Sequence, residues 1–258
     1  MNPFDEPLEL VGAPDEPKKG LPWGWAELIK AALLIVLGVV LLGIGTVVIA
    51  RLLRVDPESV AGMSSPLLFG MGVGIYLVVV LAVYLFAVRR PNSSWQLVGV
   101  RAFDPRWWWG IIIIFPLQMM GMALINTLLV PLVTGAEFEN PQVDAITGGL
   151  SMDVGDLLLL LLLIAVIAPI AEELFFRGMV YPVMREHWRP TWAIILNAAL
   201  FSLVHFIPIL LPGLFLVGLI LAWVRERSGS LIPGILLHMA QNGLVVLALF
   251  AFMGMQGQ

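Results

Sequence analysis

Seven long runs of apolar residues, separated by short polar segments, make up most of the chain. They cover roughly residues 31–50, 66–88, 108–130, 157–176, 192–211, 212–225 and 231–253. A helix needs about 20 apolar residues to cross a bilayer. The pattern therefore predicts an all-α, polytopic membrane helix bundle with about 7–8 transmembrane helices. Pro208, Pro212 and Gly213 separate the fifth and sixth runs, which predicts a tight helical hairpin.

Composition supports the membrane assignment and excludes cysteine chemistry. Hydrophobic residues make up 60% of the chain and charged residues 12%, whereas soluble domains carry about 25% charge. The chain has no cysteine, so disulfides and thiolate nucleophiles or ligands are excluded. Residues 1–26 include an acidic, proline-rich stretch without an adjacent apolar segment, and we expect a flexible cytoplasmic tail there.

The distribution of basic residues predicts the orientation of the bundle. With seven crossings, 12 of the 14 lysines and arginines fall on the side of the N-terminus, and only Arg51 and Arg54 fall on the other. Residues 134–156 carry five acids and no base. The positive-inside rule then places the N-terminus in the cytoplasm and the C-terminus outside. We expect a multi-pass protein of the cytoplasmic (inner) membrane.

The fourth apolar run contains the ionisable residues Glu172, Glu173 and Arg177. Such groups are costly inside a bilayer, so they indicate a functional site. Glu173 and Arg177 are four residues apart and can pair on one helix face. Glu172 is turned by about 100° from Glu173, so Arg177 can neutralise Glu173 and leave Glu172 free to act as a reactive group.

Two other apolar runs each carry a polar pair at a spacing of four residues. Phe201 and His205 form one pair, and His238 and Asn242 form the other. Counted from the cytoplasmic helix ends at about 1.5 Å per residue, Glu172 and the two histidines lie at a similar depth of roughly 20 Å. The sequence therefore predicts one polar cluster built from three helices.

The residue types in this cluster favour a hydrolase that activates water. A buried glutamate beside a histidine can take a proton from water and return it to a leaving amine. A second histidine and an asparagine can stabilise the oxyanion that forms when water attacks a carbonyl. No serine or threonine stands out as a nucleophile, because Ser202 points away from the face of His205 and is expected to pack between helices. His187 is expected at the membrane surface.

The three motifs resemble those of the CAAX protease and bacteriocin-processing family, which includes type II CAAX prenyl endopeptidases. The motifs are Glu172-Glu173-x-x-x-Arg177, Phe201-x-x-x-His205 and His238-x-x-x-Asn242. The resemblance covers about 155–245 and implies an α-helical intramembrane endopeptidase with a cavity open to the cytosol. It also implies a division into N-terminal transmembrane helices at 27–150 and a transmembrane catalytic core at 151–258.

The resemblance implies roles for these residues. Glu172 and His205 would activate water, and His238 and Asn242 would form the oxyanion hole. Glu173, Arg177 and Phe201 would support them, which for the first two agrees with the helical spacing. The expected substrate is a peptide or a lipidated protein segment in the bilayer, with no cofactor and no nucleic acid.

Two other functions remain open at this stage. Glu172, His205 and His238 could bind zinc, although the chain has no His-Glu-x-x-His helix and the three residues come from separate helices. The protein could also be a non-catalytic membrane scaffold or a proton-coupled transporter, since intramembrane Glu and His residues serve as proton relays. No repeated halves of the kind common in secondary transporters are visible.

Overall fold

The computed structural model describes residues 20–55, 65–135 and 153–256, and no β-strand occurs among these residues. The predicted all-α class is therefore confirmed. We number the helices in chain order. They are α1 (Trp25–Leu52), α2 (Pro66–Val88), α3 (Trp95–Val98), α4 (Trp107–Leu132), α5 (Val154–His187), α6 (Pro190–Leu203), α7 (Leu211–Ser228) and α8 (Ile232–Gln256).

Within the described residues, six helices are long and apolar enough to cross a membrane. These are α1, α2, α4, α5, α7 with its preceding 3₁₀ turn, and α8. A seventh apolar helix, α6, has 14 residues and is therefore about 21 Å long. Every predicted run thus contains a helix, and the predicted 7–8 crossings are an approximate count of a multi-pass bundle.

The prediction of one helix over 192–211 is wrong in its second half. Helix α6 ends at Leu203, Val204 and His205 form a turn, and Phe206 has φ 55°. A residue in the left-handed region cannot continue a right-handed helix. The chain therefore reverses here and returns as α7, which packs against α6 as the predicted hairpin. His205 lies at the tip of this hairpin and not inside a helix.

Local sequence explains where several helices begin and end. Asp153 caps α5 by accepting a hydrogen bond from the Asp156 N–H, and Asp156 accepts one from the Asp153 N–H in return. Pro66 and Pro190 occupy the first positions of α2 and α6, where a missing N–H is tolerated. Gly229 ends α7 with φ 67°.

Four connecting segments meet at one end of the bundle. The Leu231 N–H donates to the Gly99 carbonyl at 2.9 Å, and Arg101 Nε donates to the Gly229 carbonyl at 2.7 Å. The Leu21 N–H donates to Glu186 at 2.6 Å, and Arg90 Nε donates to the Pro22 carbonyl at 3.4 Å. The segments before α1, between α2 and α4, after α5 and after α7 therefore share this end, as the seven-crossing prediction requires. Its cytoplasmic orientation stays a prediction.

Parts of two predicted segments lie outside the described residues, namely 1–19 of the tail and 136–152 of the acidic loop. The residues just before α1 are packed against the bundle. The Trp23 side chain is 2% exposed, and its Nε1–H donates to the Met179 carbonyl at 3.0 Å. The chain is thereby attached to α5 before α1 begins.

Helices α6 and α7 approach each other closely at Gly218. A Cβ atom added to Gly218 would lie 2.8 Å from Ala198 Cα and 3.1 Å from the Ala198 carbonyl oxygen. These are backbone atoms, so no side-chain rotation can relieve the clash. Small residues allow such close helix contacts in membranes, and here the contact fixes the hairpin that carries His205.

Replacing Gly218 by alanine is expected to lower the free energy of unfolding by about 1–3 kcal/mol, because the added methyl group overpacks the α6–α7 contact. Thermal unfolding of the purified protein in detergent measures the change. Gly70→Ala is the matched control, since a Cβ there meets no atom within 4 Å. Equal unfolding temperatures for the two variants would contradict the role given to this contact.

Candidate active site

Two π-helical segments interrupt α5, at Leu161–Ile167 and Leu174–Val180. Between them lies the short α-helical segment Ala168–Glu173, whose last two residues are Glu172 and Glu173. A π-helical turn shifts the register of the side chains that follow it, and such turns often occur at functional sites. The direction of the two glutamates is therefore set locally, within α5.

The first π segment ends before a proline, which leaves one carbonyl without a backbone donor. The Ala168 N–H donates to the Leu163 carbonyl, five residues earlier. The next residue is Pro169, which has no N–H for the Ile164 carbonyl. The Asn242 amide donates to that carbonyl at 2.9 Å instead. Helix α8 thus completes the hydrogen bonding of α5 just before the glutamates.

The second π segment repeats this arrangement after the glutamates. The Tyr181 N–H donates to the Phe176 carbonyl, and the following residue, Pro182, has no N–H to donate to the Arg177 carbonyl. Arg225 Nε donates to this carbonyl at 3.3 Å. Side chains from α8 and α7 therefore stabilise α5 on both sides of the glutamate pair.

Glu173 and Arg177 form the ion pair that their spacing predicts. Arg177 Nη1 donates to Glu173 Oε1 at 2.9 Å, and the two side chains are 0% and 1% exposed. Arg177 also donates to the Gly218 carbonyl at 3.1 Å and lies 4.4 Å from the centre of the Phe201 ring. Buried charges are tolerated when they are paired and hydrogen-bonded. The pair therefore joins α5 to the α6–α7 hairpin.

Glu172 lies on a different face of α5, as predicted, and its side chain is 18% exposed. Its Oε1 accepts a hydrogen bond from the Tyr76 hydroxyl of α2 at 3.4 Å. Its Oε2 lies 3.8 Å from His238 Nε2. Each carboxylate oxygen thus has a neighbour on a different helix, and Glu172 has no arginine partner among the described residues.

His238 lies between the two glutamates. Its Nδ1 is 3.3 Å from Glu173 Oε1, and its Nε2 faces Glu172. Glu173 is paired with Arg177 and accepts hydrogen bonds, so His238 Nδ1–H is the donor. This contact fixes the ring, and it directs the second nitrogen to the carboxylate that is still partly exposed.

Phe201 connects His205 to this group. Its ring centre is 5.0 Å from that of His205 and 5.9 Å from that of His238. His205 Nδ1 is 2.7 Å from the Phe201 carbonyl. A carbonyl oxygen only accepts, so Nδ1 carries the hydrogen and Nε2 of the neutral ring has a free lone pair.

Contacts through Phe201 and His238 connect the three motifs, and Asn242 lies one helical turn from His238. Among the described residues, His205 contacts Phe201 and makes no hydrogen bond, ion pair or ring contact with Glu172. One amide N–H of Asn242 is used by Ile164, which leaves the other available. Ser202 is buried and donates to the Ala199 carbonyl, and His187 is exposed, in agreement with their predicted roles in packing and at the surface.

Four polar residues near the site were missed by the sequence analysis. They are Tyr76, Gln118, Asn197 and Gln241. Asn197 of α6 donates to the Phe176 carbonyl at 2.9 Å, and Gln118 and Gln241 bond to each other. The signal was available, since each is a polar side chain within an apolar helix. A polar side chain inside an apolar helix was also the reason for selecting the glutamates. For these four residues it is a weaker indication of function, because uncharged groups are less costly to bury in a membrane.

The geometry gives little support to a zinc site. A catalytic zinc uses three protein ligands, and Glu172, His205 and His238 are the residues available. Glu172 and His238 are neighbours, but no group of three His, Asp or Glu side chains is placed to hold a metal in the described ranges. His238 Nδ1 is bonded to Glu173, so Nε2, which faces Glu172, is the ring nitrogen that could bind a metal ion.

Comparison with known proteins identifies the part of the chain that contains the three motifs. Residues 154–244 match the family described as type II CAAX prenyl endopeptidase Rce1-like. An uncharacterized 24.3 kDa protein of Escherichia coli is 38% identical over 101 residues, which cover 36% of this chain and 46% of that protein. The match therefore spans about half the length of this relative. No solved structure matches the chain.

The matched range begins where α5 begins and ends just after Asn242. It thus includes both glutamates, both histidines of the cluster and the α6–α7 hairpin, while α2 and α4 lie outside it. Residues 154–244 form a domain of the type II CAAX prenyl endopeptidase Rce1-like family.

Proposed function

We propose that this protein is an intramembrane endopeptidase that hydrolyses a peptide bond near the cytoplasmic side of the membrane. The observation that carries the proposal is the different environment of the two adjacent glutamates. Glu173 is fully buried against Arg177, whereas Glu172 is partly exposed beside His238. A carboxylate without a neutralising arginine can accept a proton from water.

In the proposed reaction, Glu172 and His205 act on one water molecule. Glu172 takes a proton from the water as its oxygen attacks the carbonyl carbon of the peptide bond. The free lone pair on His205 Nε2 accepts the other hydrogen of this water and orients it. When the tetrahedral intermediate collapses, the C–N bond breaks and the proton passes from Glu172 to the leaving amine. The products are a carboxylic acid and an amine, as hydrolysis requires.

The negative charge that develops on the carbonyl oxygen needs hydrogen-bond donors. We assign this role to the Nε2–H of doubly protonated His238, whose Nδ1–H is held by Glu173, and to the second N–H of Asn242, whose first N–H is held by the Ile164 carbonyl. Donors that are fixed before the reaction lose no energy in reorganisation. Glu173 and Arg177 act through His238, since Glu173 holds its Nδ1, and Phe201 separates the two histidines.

We further propose that the reaction does not need a metal ion. If so, a chelator should leave activity unchanged, and added zinc should not raise it. Loss of activity with a chelator, followed by recovery with zinc, would establish the metalloprotease alternative.

The substrate class that fits this site is a peptide or a lipidated protein segment. It would enter from the cytosol or laterally from the bilayer, because the site lies among membrane-spanning helices about 20 Å from the basic end of the bundle.

A mass-spectrometric survey of protein termini tests the proposed function. Membranes from cells that express the wild type or Glu172→Gln at matched levels are compared. New C-termini or released peptides that occur only with the wild type would establish proteolysis and identify the substrate. Identical termini, together with the same cellular phenotype, would contradict the proposal and favour a scaffold or transporter.

Replacing Tyr76 by phenylalanine is expected to lower kcat about 3–10-fold and to leave KM within about twofold, because the lost hydroxyl contacts Glu172 and one hydrogen bond contributes about 1 kcal/mol. Steady-state kinetics on a purified substrate peptide separates the two constants. Tyr84→Phe makes the same change on the same helix, where the ring is 43% exposed and stacks on Trp95. Equal kcat values in both variants would show that Tyr76 does not position Glu172.

A further inference from the structure

Two glutamines form a buried polar contact between α4 and α8. Gln118 is 0% exposed and Gln241 is 4% exposed. Gln118 Nε2 donates to Gln241 Oε1. Gln118 Oε1 is buried and has no hydrogen-bond partner, and Gln241 makes no second hydrogen bond within the part of the chain that the structure describes.

The pair therefore keeps one amide nitrogen, that of Gln241, and one carbonyl oxygen, that of Gln118, without a hydrogen-bond partner. The conclusion does not depend on which end of each amide is nitrogen, because reversing both amides leaves the same two kinds of group. Two facing amides can instead form two reciprocal hydrogen bonds, which would satisfy both carbonyls. A pair whose only role was to join α4 to α8 would gain from that arrangement. The single bond leaves a buried acceptor unsatisfied, which is costly where no water is present.

The position of the pair connects it to the site. Gln241 is three residues after His238 and directly before Asn242 on α8. Residues three apart share a helix face, and the rise between them is about 4.5 Å. An extended peptide advances about 3.3 Å per residue. A substrate whose carbonyl is held at His238 would thus present its neighbouring peptide groups, one or two residues away, to Gln241 and Gln118.

We propose that Gln118 and Gln241 form a subsite that binds the backbone of an extended peptide substrate. The free amide N–H of the pair donates to a substrate carbonyl, and the free amide oxygen accepts from a substrate N–H. This inference rests on the proposed endopeptidase function and adds its substrate-binding surface. Because an amide pair recognises backbone groups, it selects an extended conformation with little dependence on side-chain identity.

The test uses the full-length protein in detergent with an internally quenched peptide that ends in a prenylated Cys-aliphatic-aliphatic-X sequence. The variants are Gln118→Met, Gln241→Met and the double variant. Methionine has a similar volume and no amide, and removing both partners leaves no new unsatisfied group. Gln96→Met is the control, since Gln96 is exposed on α3. Thermal unfolding of each variant is recorded alongside the kinetics.

We expect KM to rise about tenfold in the double variant, with kcat within about twofold, because the lost bonds hold the substrate in the ground state and in the transition state alike. A second peptide, with an ester in place of the amide that Gln118 contacts, lacks the N–H. It should bind the wild type about threefold more weakly, because it loses one of the two bonds, and show no further loss with Gln118→Met. Unchanged KM values, accompanied by lower unfolding temperatures, would show that the pair only joins the helices.

The binding step is also measured without turnover. The dissociation constant of the same peptide is determined in the Glu172→Gln background, with and without the two methionine substitutions. If the wild type does not cleave the peptide but the methionine variant weakens binding about tenfold, the endopeptidase proposal fails and the subsite stands. If the wild type cleaves the peptide and the methionine substitutions change neither KM nor binding, the subsite is wrong and the enzyme assignment stands. Absence of both cleavage and binding would overturn both proposals for this substrate class.

Discussion

Replacing Glu172 by glutamine should reduce peptide hydrolysis by about 10²–10⁴-fold, the usual contribution of a general base. Glutamine keeps the size of the side chain and can still meet Tyr76 and His238, but its amide cannot take a proton from water. The fold should be retained, because Glu172 is partly exposed and is not needed by Arg177, which pairs with Glu173. The rate of product formation from a purified peptide measures the effect.

The matched control is Glu186→Gln at the end of α5. Glu186 is exposed and accepts a hydrogen bond from the Leu21 N–H, far along the helix from the motif residues. It should keep the rate of the wild type. An active Glu172→Gln enzyme would mean that another group activates the water, and it would remove the main support for the mechanism.

Replacing Arg177 by methionine should lower the free energy of unfolding by about 3–5 kcal/mol, the usual penalty for breaking a buried ion pair. The change would leave Glu173 charged, buried and without its cation. It would also remove the hydrogen bond to the Gly218 carbonyl and the contact with the Phe201 ring. These losses would remove the contacts by which Arg177 joins α5 to the α6–α7 hairpin that carries His205.

Unfolding in detergent, followed by heat or by a chemical denaturant, measures this effect. Arg106→Met serves as the control, because the Arg106 side chain is 89% exposed and a solvent-exposed pair such as Arg106–Asp104 contributes little to stability. Adding Glu173→Gln to Arg177→Met should restore part of the lost stability, since the unpaired charge disappears. Equal stability of the Arg177 and Arg106 variants would contradict a structural role for the pair.

The local parts of the site could be predicted from the sequence. Glu173 and Arg177 are four residues apart on one helix, and helical geometry alone predicts their contact. The prolines and glycine around residue 210 likewise predict a hairpin. The helix end at Leu203 could not be predicted, because nothing in the local sequence requires Phe206 to adopt a left-handed conformation. The sequence favoured a longer apolar helix there, and tertiary structure ends it earlier.

Contacts between distant segments were beyond the sequence analysis. His238 meets Glu173 across 65 residues, and Tyr76 meets Glu172 across 96. Helical periodicity places a residue on a face, but it does not say which helices are neighbours. The two prolines of α5 were visible as single residues, but their effect depends on side chains from α7 and α8. Counting residues from the helix ends could predict only that the motif residues lie at a similar depth, and it could not predict which of them are in contact.

The use of Asn242 and Arg225 to complete the hydrogen bonding of α5 has a consequence for the protein in different bilayers. A helix that relies on its neighbours for two of its backbone hydrogen bonds cannot easily tilt by itself, because tilting would break them. When the hydrocarbon thickness changes, α5, α7 and α8 should therefore tilt together as one unit. The distances between the glutamates and His238 would be preserved, and the mismatch would be taken up by α1, which is largely exposed to the surroundings.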